Sequence, residues 1–230
     1  MSCLFTHFGE INEPSSRAFW GDFDDEAEDS IDQTKLEWDS FSAPMPVDLL
    51  VLMEGFNISE FGEQIFLKDS QELCRIKNKG ISLHKFNDKS TIIGLLEENL
   101  VNSGEVANLL LPFCNLAKNV VTLTIQPKVE YKSEDISRFK DEITIVLAVK
   151  SDLKTIEKLE APNFIVGATA GIFSYRDIKN LPVDSYIAYT DKSDLDTLST
   201  APILKLLRQI GIKCPENYIP KRRDQSHLYM

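Results

Sequence analysis

From Pro46 onward the apolar positions fall into short blocks with two different spacings. Val47-Asp48-Leu49-Leu50-Val51-Leu52-Met53 is nearly continuous and stops at Glu54-Gly55, the pattern of a strand buried on both faces. Ile81–Phe86 and Ser90–Leu96 read as strands parted by the turn-prone Asn87-Asp88, and Val120–Ile125 is β-branched and strand-like. Ser59 to Ile76 is ambiguous and weakly helical, with Ser59 as its N-cap. Ser103-Gly104-Glu105 opens a helix carrying Val106, Leu109, Leu110 and Phe113, which Pro112 is expected to kink or shorten.

The second half alternates more regularly. Strands are expected at Ile143–Val149, Asn163–Val166 and Ser185–Tyr189. Helices are expected at Asp152–Glu160, with Leu153, Ile156 and Leu159 on one face and Ser151 as cap, and at Ala168–Lys179. A last helical region has Thr200 as cap of its second half, Pro202 in the first turn, a stripe of Ile203, Leu206, Leu207 and Ile210, and Gly211 as its stop. Lys128–Asp141 is charged and reads as a loop with one helical turn. Strands alternating with helices specify an α/β fold: one sandwich domain with a mixed, mostly parallel sheet flanked by helices.

Charge divides the chain. The net charge is −11, but residues 1–40 hold eleven acids against Arg17 and Lys35, so the remainder carries −2. The expected organisation is an acidic, flexible arm over 1–40, an α/β domain over 41–212 and a polar, flexible tail over 213–230. Phe5, Phe8, Phe19, Trp20, Phe23 and Trp38 are spread among the acids. They suit a segment that folds onto a partner, or aromatics that dock loosely on their own domain. The tight basic cluster is Lys221-Arg222-Arg223, too small an excess for a nucleic-acid surface. Cys3, Cys74, Cys114 and Cys214 form no C-x-x-C pair, which fits free thiols in a reducing compartment. With no signal-peptide pattern and no run of transmembrane length, cytosol or nucleus is the expected location and a membrane partner is not expected.

Candidate chemistry is sparse. His7 and His227 lie near the ends, and His84 sits in a strand pattern as a packed or surface residue. Gly167-Ala168-Thr169-Ala170-Gly171 stands where an α/β fold can hold a phosphate. Its G-x-x-x-G spacing also fits a tight strand-to-helix turn, the reading we favour. Asp191, Asp194 and Asp196 can hold a cation, or serve as caps and dipole partners of the next helix, with Asp191 and Ser193 as the caps. Cys114 reads as a core residue. No cofactor and no metal are expected, and the pattern is that of a non-enzyme. The competing reading is an α/β enzyme binding a nucleoside or phosphate beside Gly167–Gly171.

The chain finishes on Leu228-Tyr229-Met230, a hydrophobic-tyrosine-any ending whose ring and carboxylate suit capture in a partner's pocket. Together with Phe8-Gly9-Glu10 before the acidic run, Thr122-Leu123-Thr124 leading to Tyr131-Lys132-Ser133, and Ala161–Val166 through Ser174-Tyr175 to Tyr189-Thr190-Asp191, it resembles the proteasome assembly chaperones, in particular the larger, chaperone 1 branch. The resemblance rests on colinearity and is thin between Asp39 and Leu100. It implies a fold similar to nucleoside phosphorylases without their activity, and assembly chaperone 2 as heterodimer partner. It further implies binding to proteasome α-subunits as their ring is built. Leu228, Tyr229 and Met230 would enter a pocket between α-subunits, its lysine facing the terminal carboxylate. Phe8, Gly9 and Glu10 would be further partner-binding residues.

Overall fold

The structure, a computed structural model, describes residues 36–66, 70–86, 90–97, 101–133, 135, 138–191 and 195–220. Its centre is a seven-stranded mixed sheet of β1 (Val47–Gly55), β2 (Ser70–Ile76), β3 (Ile81–Phe86), β4 (Thr91–Glu97), β5 (Ala117–Pro127), β6 (Thr144–Lys150) and β7 (Val183–Thr190), in the order β2-β3-β4-β1-β5-β7-β6. The four central strands, β4, β1, β5 and β7, are mutually parallel. The antiparallel pairings, β2–β3, β3–β4 and β6–β7, lie toward the two edges.

Helices cover both faces. Odd-numbered β1 and β4 residues, Val51, Met53, Ile93 and Leu95, pack with α1 (Ile58–Phe66) and α4 (Thr197–Gln209). The even-numbered neighbours Leu50, Leu52 and Ile92 pack with α2 (Ser103–Leu116) and α3 (Gly167–Ile178). This two-sided burial is why β1 carries an apolar run instead of an alternating one. A smaller cluster of Ile145, Leu147, Ile187 and Tyr189 lies beneath Tyr131, Phe139, Leu159 and Ile165.

Several elements differ from expectation. Ser59–Ile76 is a helix followed by an edge strand. The edge strand escaped the hydrophobic pattern because Gln71 and Glu72 are exposed and a bulge interrupts the register after Glu72. Asp152–Glu160 is not a helix, although its apolar spacing imitates one. Leu153 and Ile156 join the core under α4, while Leu159 joins the cluster on the opposite face. The segment instead covers the β6 edge: Ala148 N donates to Glu157 O at 2.7 Å and Leu159 N to Ala148 O at 2.8 Å. Such pairing removes the exposed ladder that an edge strand otherwise offers. Asn163–Val166 is irregular chain leading into α3. Asp196, not Thr200, caps α4, its carboxylate accepting from Leu198 N at 3.0 Å and Ser199 N at 2.8 Å. Helix α2 continues past Pro112 to Leu116.

The chain on either side of the sheet also packs. Leu36, Trp38 and Met45 lie against the core under α2, with Trp38 edge-on to Phe113 at 6.3 Å. Arg75 N donates to Ser40 O at 3.1 Å, so this segment covers the β2 edge. After α4, Tyr218 is 2% exposed and meets the Phe61 ring at 5.2 Å, and its carbonyl accepts from Thr197 Oγ1 at 2.7 Å.

Candidate functional site

In α/β sheets ligands bind beyond the carboxyl ends of the parallel strands, where helix N-termini offer free N–H groups. Here that edge is formed by the ends of β4, β1, β5 and β7. The sequence-level phosphate candidate, Gly167–Gly171, lies on it as the first turn of α3.

Its donors are already engaged. Glu54, at the end of β1 and 2% exposed, accepts hydrogen bonds from Ala168 N at 3.0 Å, Thr169 N at 2.8 Å and the Thr169 hydroxyl at 2.5 Å. Thr169 Oγ1 also lies 2.9 Å from Thr124 Oγ1 of β5. The carboxylate sits at the positive end of the helix, where its charge is favoured. Gly167 is required by this arrangement: its φ is +92°, and a β-carbon there would collide with the Glu54 carboxylate. Gly171 is under no such constraint, since a β-carbon on it would make only an ordinary contact with that of Ala107 on α2, at 3.4 Å. Gly167 lets the helix end close on an internal acid, and the two N–H groups of Ala168 and Thr169 that an external phosphate would use are taken.

The same solution recurs along this edge. Glu97, at the end of β4, accepts from Asn57 N at 2.9 Å and Ser59 N at 3.0 Å, closing the N-terminus of α1. Ser59, expected as the cap, directs its hydroxyl to Gly80 O at 3.3 Å instead. Asp196 closes α4. Thus α1, α3 and α4 each have their first turn satisfied by a carboxylate of this chain.

The other candidates are dispersed. Asp191 pairs with Lys128 Nζ at 3.2 Å, Asp196 is committed to its cap, and Asp194 lies outside the described residues. His84 is buried on β3; burial pushes its pKa down, with Glu72 opposing and Arg75 reinforcing the shift. Cys114 is buried in α2, and burial pushes its thiol up to about 12 despite the nearby Arg176, which makes it inert as a nucleophile. The partner-binding candidates Phe8, Gly9, Glu10, Leu228, Tyr229 and Met230 all lie outside the described residues. Glu54 escaped the sequence reading because a single acid after an apolar run looks like a strand stop. Its partners are 114 and 115 residues away.

No family profile matches the chain, and no curated protein matches it. Solved structures do. PbaA of Pyrococcus furiosus, an archaeal homologue of proteasome-assembly chaperone, superimposes with a TM-score of 0.50 at 11% identity, covering 75% of this chain and 85% of PbaA. Its monoclinic form gives 0.52 at 12% identity, over 78% and 83%. A protein of unknown function from Thermoplasma acidophilum gives 0.53 at 13% identity, over 72% and 77%. At such identities the likeness is one of fold: the chain is similar in architecture to these proteins.

Proposed function

We propose that this chain is a non-catalytic assembly chaperone of the proteasome core particle, corresponding to assembly chaperone 1 and acting in the cytosol or nucleus as a heterodimer with assembly chaperone 2. The observation that carries the reading is the Glu54 carboxylate seated on the α3 N-terminus. A fold that could present an anion site at its sheet edge has filled it from within, which argues against phosphate or nucleotide chemistry there. The shared architecture with PbaA and the colinear resemblance of both chain ends support the same conclusion.

In this reading the domain docks on the growing α-ring, and Leu228-Tyr229-Met230 enters a pocket between neighbouring α-subunits. Tyr218 fixes the chain to the domain, so the twelve residues Ile219–Met230 span at most about 40 Å. A tripeptide plug binds weakly alone. Tethered to a docked domain, its binding becomes effectively intramolecular and gains from high local concentration. The reading takes Met230 as the terminal residue, which an intact-mass measurement on the native protein checks.

The test uses recombinant heterodimer and α-ring intermediates. Deleting Leu228–Met230, or Tyr229→Ala, should weaken α-ring binding while leaving folding and heterodimer formation intact. Unchanged ring binding by both variants would sink the tail mechanism.

A further inference from the structure

Helices α2 and α3 lie side by side and run parallel. Gly171 stands against Ala107, the Tyr175 hydroxyl donates to Asn115 Oδ1 at 3.0 Å, and the Arg176 guanidinium reaches Cys114 O. Their outward side is unlike that of the opposite helical layer. There α1 and α4 turn Glu63, Lys205 and Arg208 to solvent, as helices facing water do. Between Val106 and Ala117 of α2 and its exit, and between Gly167 and Tyr175 of α3, no charged residue occurs. Asn108, Leu111, Pro112 and Leu116 of α2, with Gly171 and Ile178 of α3, are exposed or half-buried there. Leu116 is 42% exposed and Ile178 80%. Phe41 extends the apolar area beside α2, its ring 6.5 Å from that of Phe113 and 60% exposed. A contiguous uncharged face with large apolar side chains on it is the mark of an interaction surface.

We propose that this face pairs with the same face of a second copy of the chain, the helices of the two copies running antiparallel about a two-fold axis near Leu111 and Ser174. Shape selects that occupant. The N-terminal half of the face is small, with Gly104, Ala107 and Gly171, and the C-terminal half is bulky, with Leu111, Leu116 and Ile178. Antiparallel pairing seats each copy's bulky half on the other's small half, Ile178 upon Gly171, which is the self-complementarity a two-fold contact requires. A β-carbon on Gly104 would meet nothing within 4 Å, and one on Gly171 only an ordinary contact. The folding of a single chain therefore calls for glycine at neither position, although glycine weakens a helix. Close approach of a second chain does call for it.

Charge selects the same arrangement. The exposed Glu105 stands in the first turn of α2, and the exposed Lys118 and Lys179 follow the last turns of α2 and α3. Among the described residues Glu105 forms no ion pair, and Lys179 Nζ donates to the Tyr175 hydroxyl at 2.6 Å. Antiparallel pairing brings the acidic end of each face to the basic end of the other, whereas parallel pairing would set like charges together. The size of the face sets the strength. Two helices about 20 Å long and about 10 Å wide give a footprint of roughly 400 Å² per copy, against ~800 Å² per partner in a standard interface. The pairing is a weak one, with a dissociation constant on the order of 10–100 µM. It is read from the face alone and does not depend on the proteasome reading.

Sedimentation velocity of the full chain over about 1 to 500 µM tests it, and the wild type should pass from monomer to dimer across this range. Ile178→Lys and Gly171→Leu should each weaken dimerisation about tenfold or more, and Glu105→Lys about threefold. Melting temperatures of the Ile178 and Gly171 variants, taken on dilute monomer, should match wild type, because both positions face solvent in the single chain. Gly171→Leu combined with Ile178→Ala should recover most of the loss, since knob and hole then change places across the two-fold axis. The inference is overturned if the wild type stays monomeric throughout, if both single variants dimerise as it does, or if a chain monomeric on its own binds assembly chaperone 2 through this face. None of these measurements involves α-subunits, so failure here leaves the α-ring reading to its own test.

Discussion

Replacing Glu54 by alanine tests the internal seat directly. The carboxylate accepts three hydrogen bonds, from Ala168 N, Thr169 N and the Thr169 hydroxyl, all in a buried site. Each orphaned buried donor costs about 1–3 kcal/mol. Water entering the vacated space recovers part of that, so the expected loss is about 3–6 kcal/mol. This is a large share of the ~5–15 kcal/mol that stabilises an ordinary domain. For a chain of this size it corresponds to a fall of about 6–20 °C in Tm. Thermal unfolding followed by circular dichroism reads it out. The variant should also gain what the wild type lacks, an open helix N-terminus able to hold an anion. Phosphate or sulfate at ten times its dissociation constant should then restore about 1.4 kcal/mol, with little effect on wild type. A Glu54→Ala protein within about 1 kcal/mol of wild type would refute the reasoning, as would equal phosphate stabilisation of both proteins.

Further outcomes follow from the same contacts. The buried Arg176 guanidinium donates to Cys114 O, to Ala117 O at 3.3 Å, to Lys118 O at 3.1 Å and to Pro182 O at 2.9 Å. Arg176→Met should cost about 3–5 kcal/mol in urea unfolding, and Arg176→Lys should recover little, because an ammonium cannot span the set. Gly167→Ala should cost at least about 2 kcal/mol, from positive-φ strain and the collision with Glu54, and a neutral result would contradict the packed seat. His84 is held below its ordinary value of 6.5, so the unfolded chain binds its proton first. The stability due to the neutral ring is fully present above pH 6.5 and is lost as pH falls from there through the lowered folded-state pKa. His84→Leu should flatten the profile of Tm against pH between 5 and 8, and parallel profiles would count against the assignment.

The parts of the fold legible in the sequence were those whose local pattern matches their tertiary role. Val47–Met53 reads correctly because β1 is buried on both faces, and Val106, Leu110 and Phe113 do face the core as their spacing implies. Leu153, Ile156 and Leu159 misled because three residues at helical spacing went to two opposite faces of the sheet. Ser70–Ile76 was obscured by its polar edge position. The seat of the α3 N-terminus was half legible. Gly167–Gly171 was recognised as a close turn, yet its occupant lay more than a hundred residues away and reached it through strand order that no local pattern encodes.

The central claim is most directly tested by affinity purification of the endogenous protein, with quantification of what accompanies it. The account expects assembly chaperone 2 and proteasome α-subunits without mature β-subunits to dominate. Recovery of mature core particles alone, or of no α-subunits at all, would contradict it.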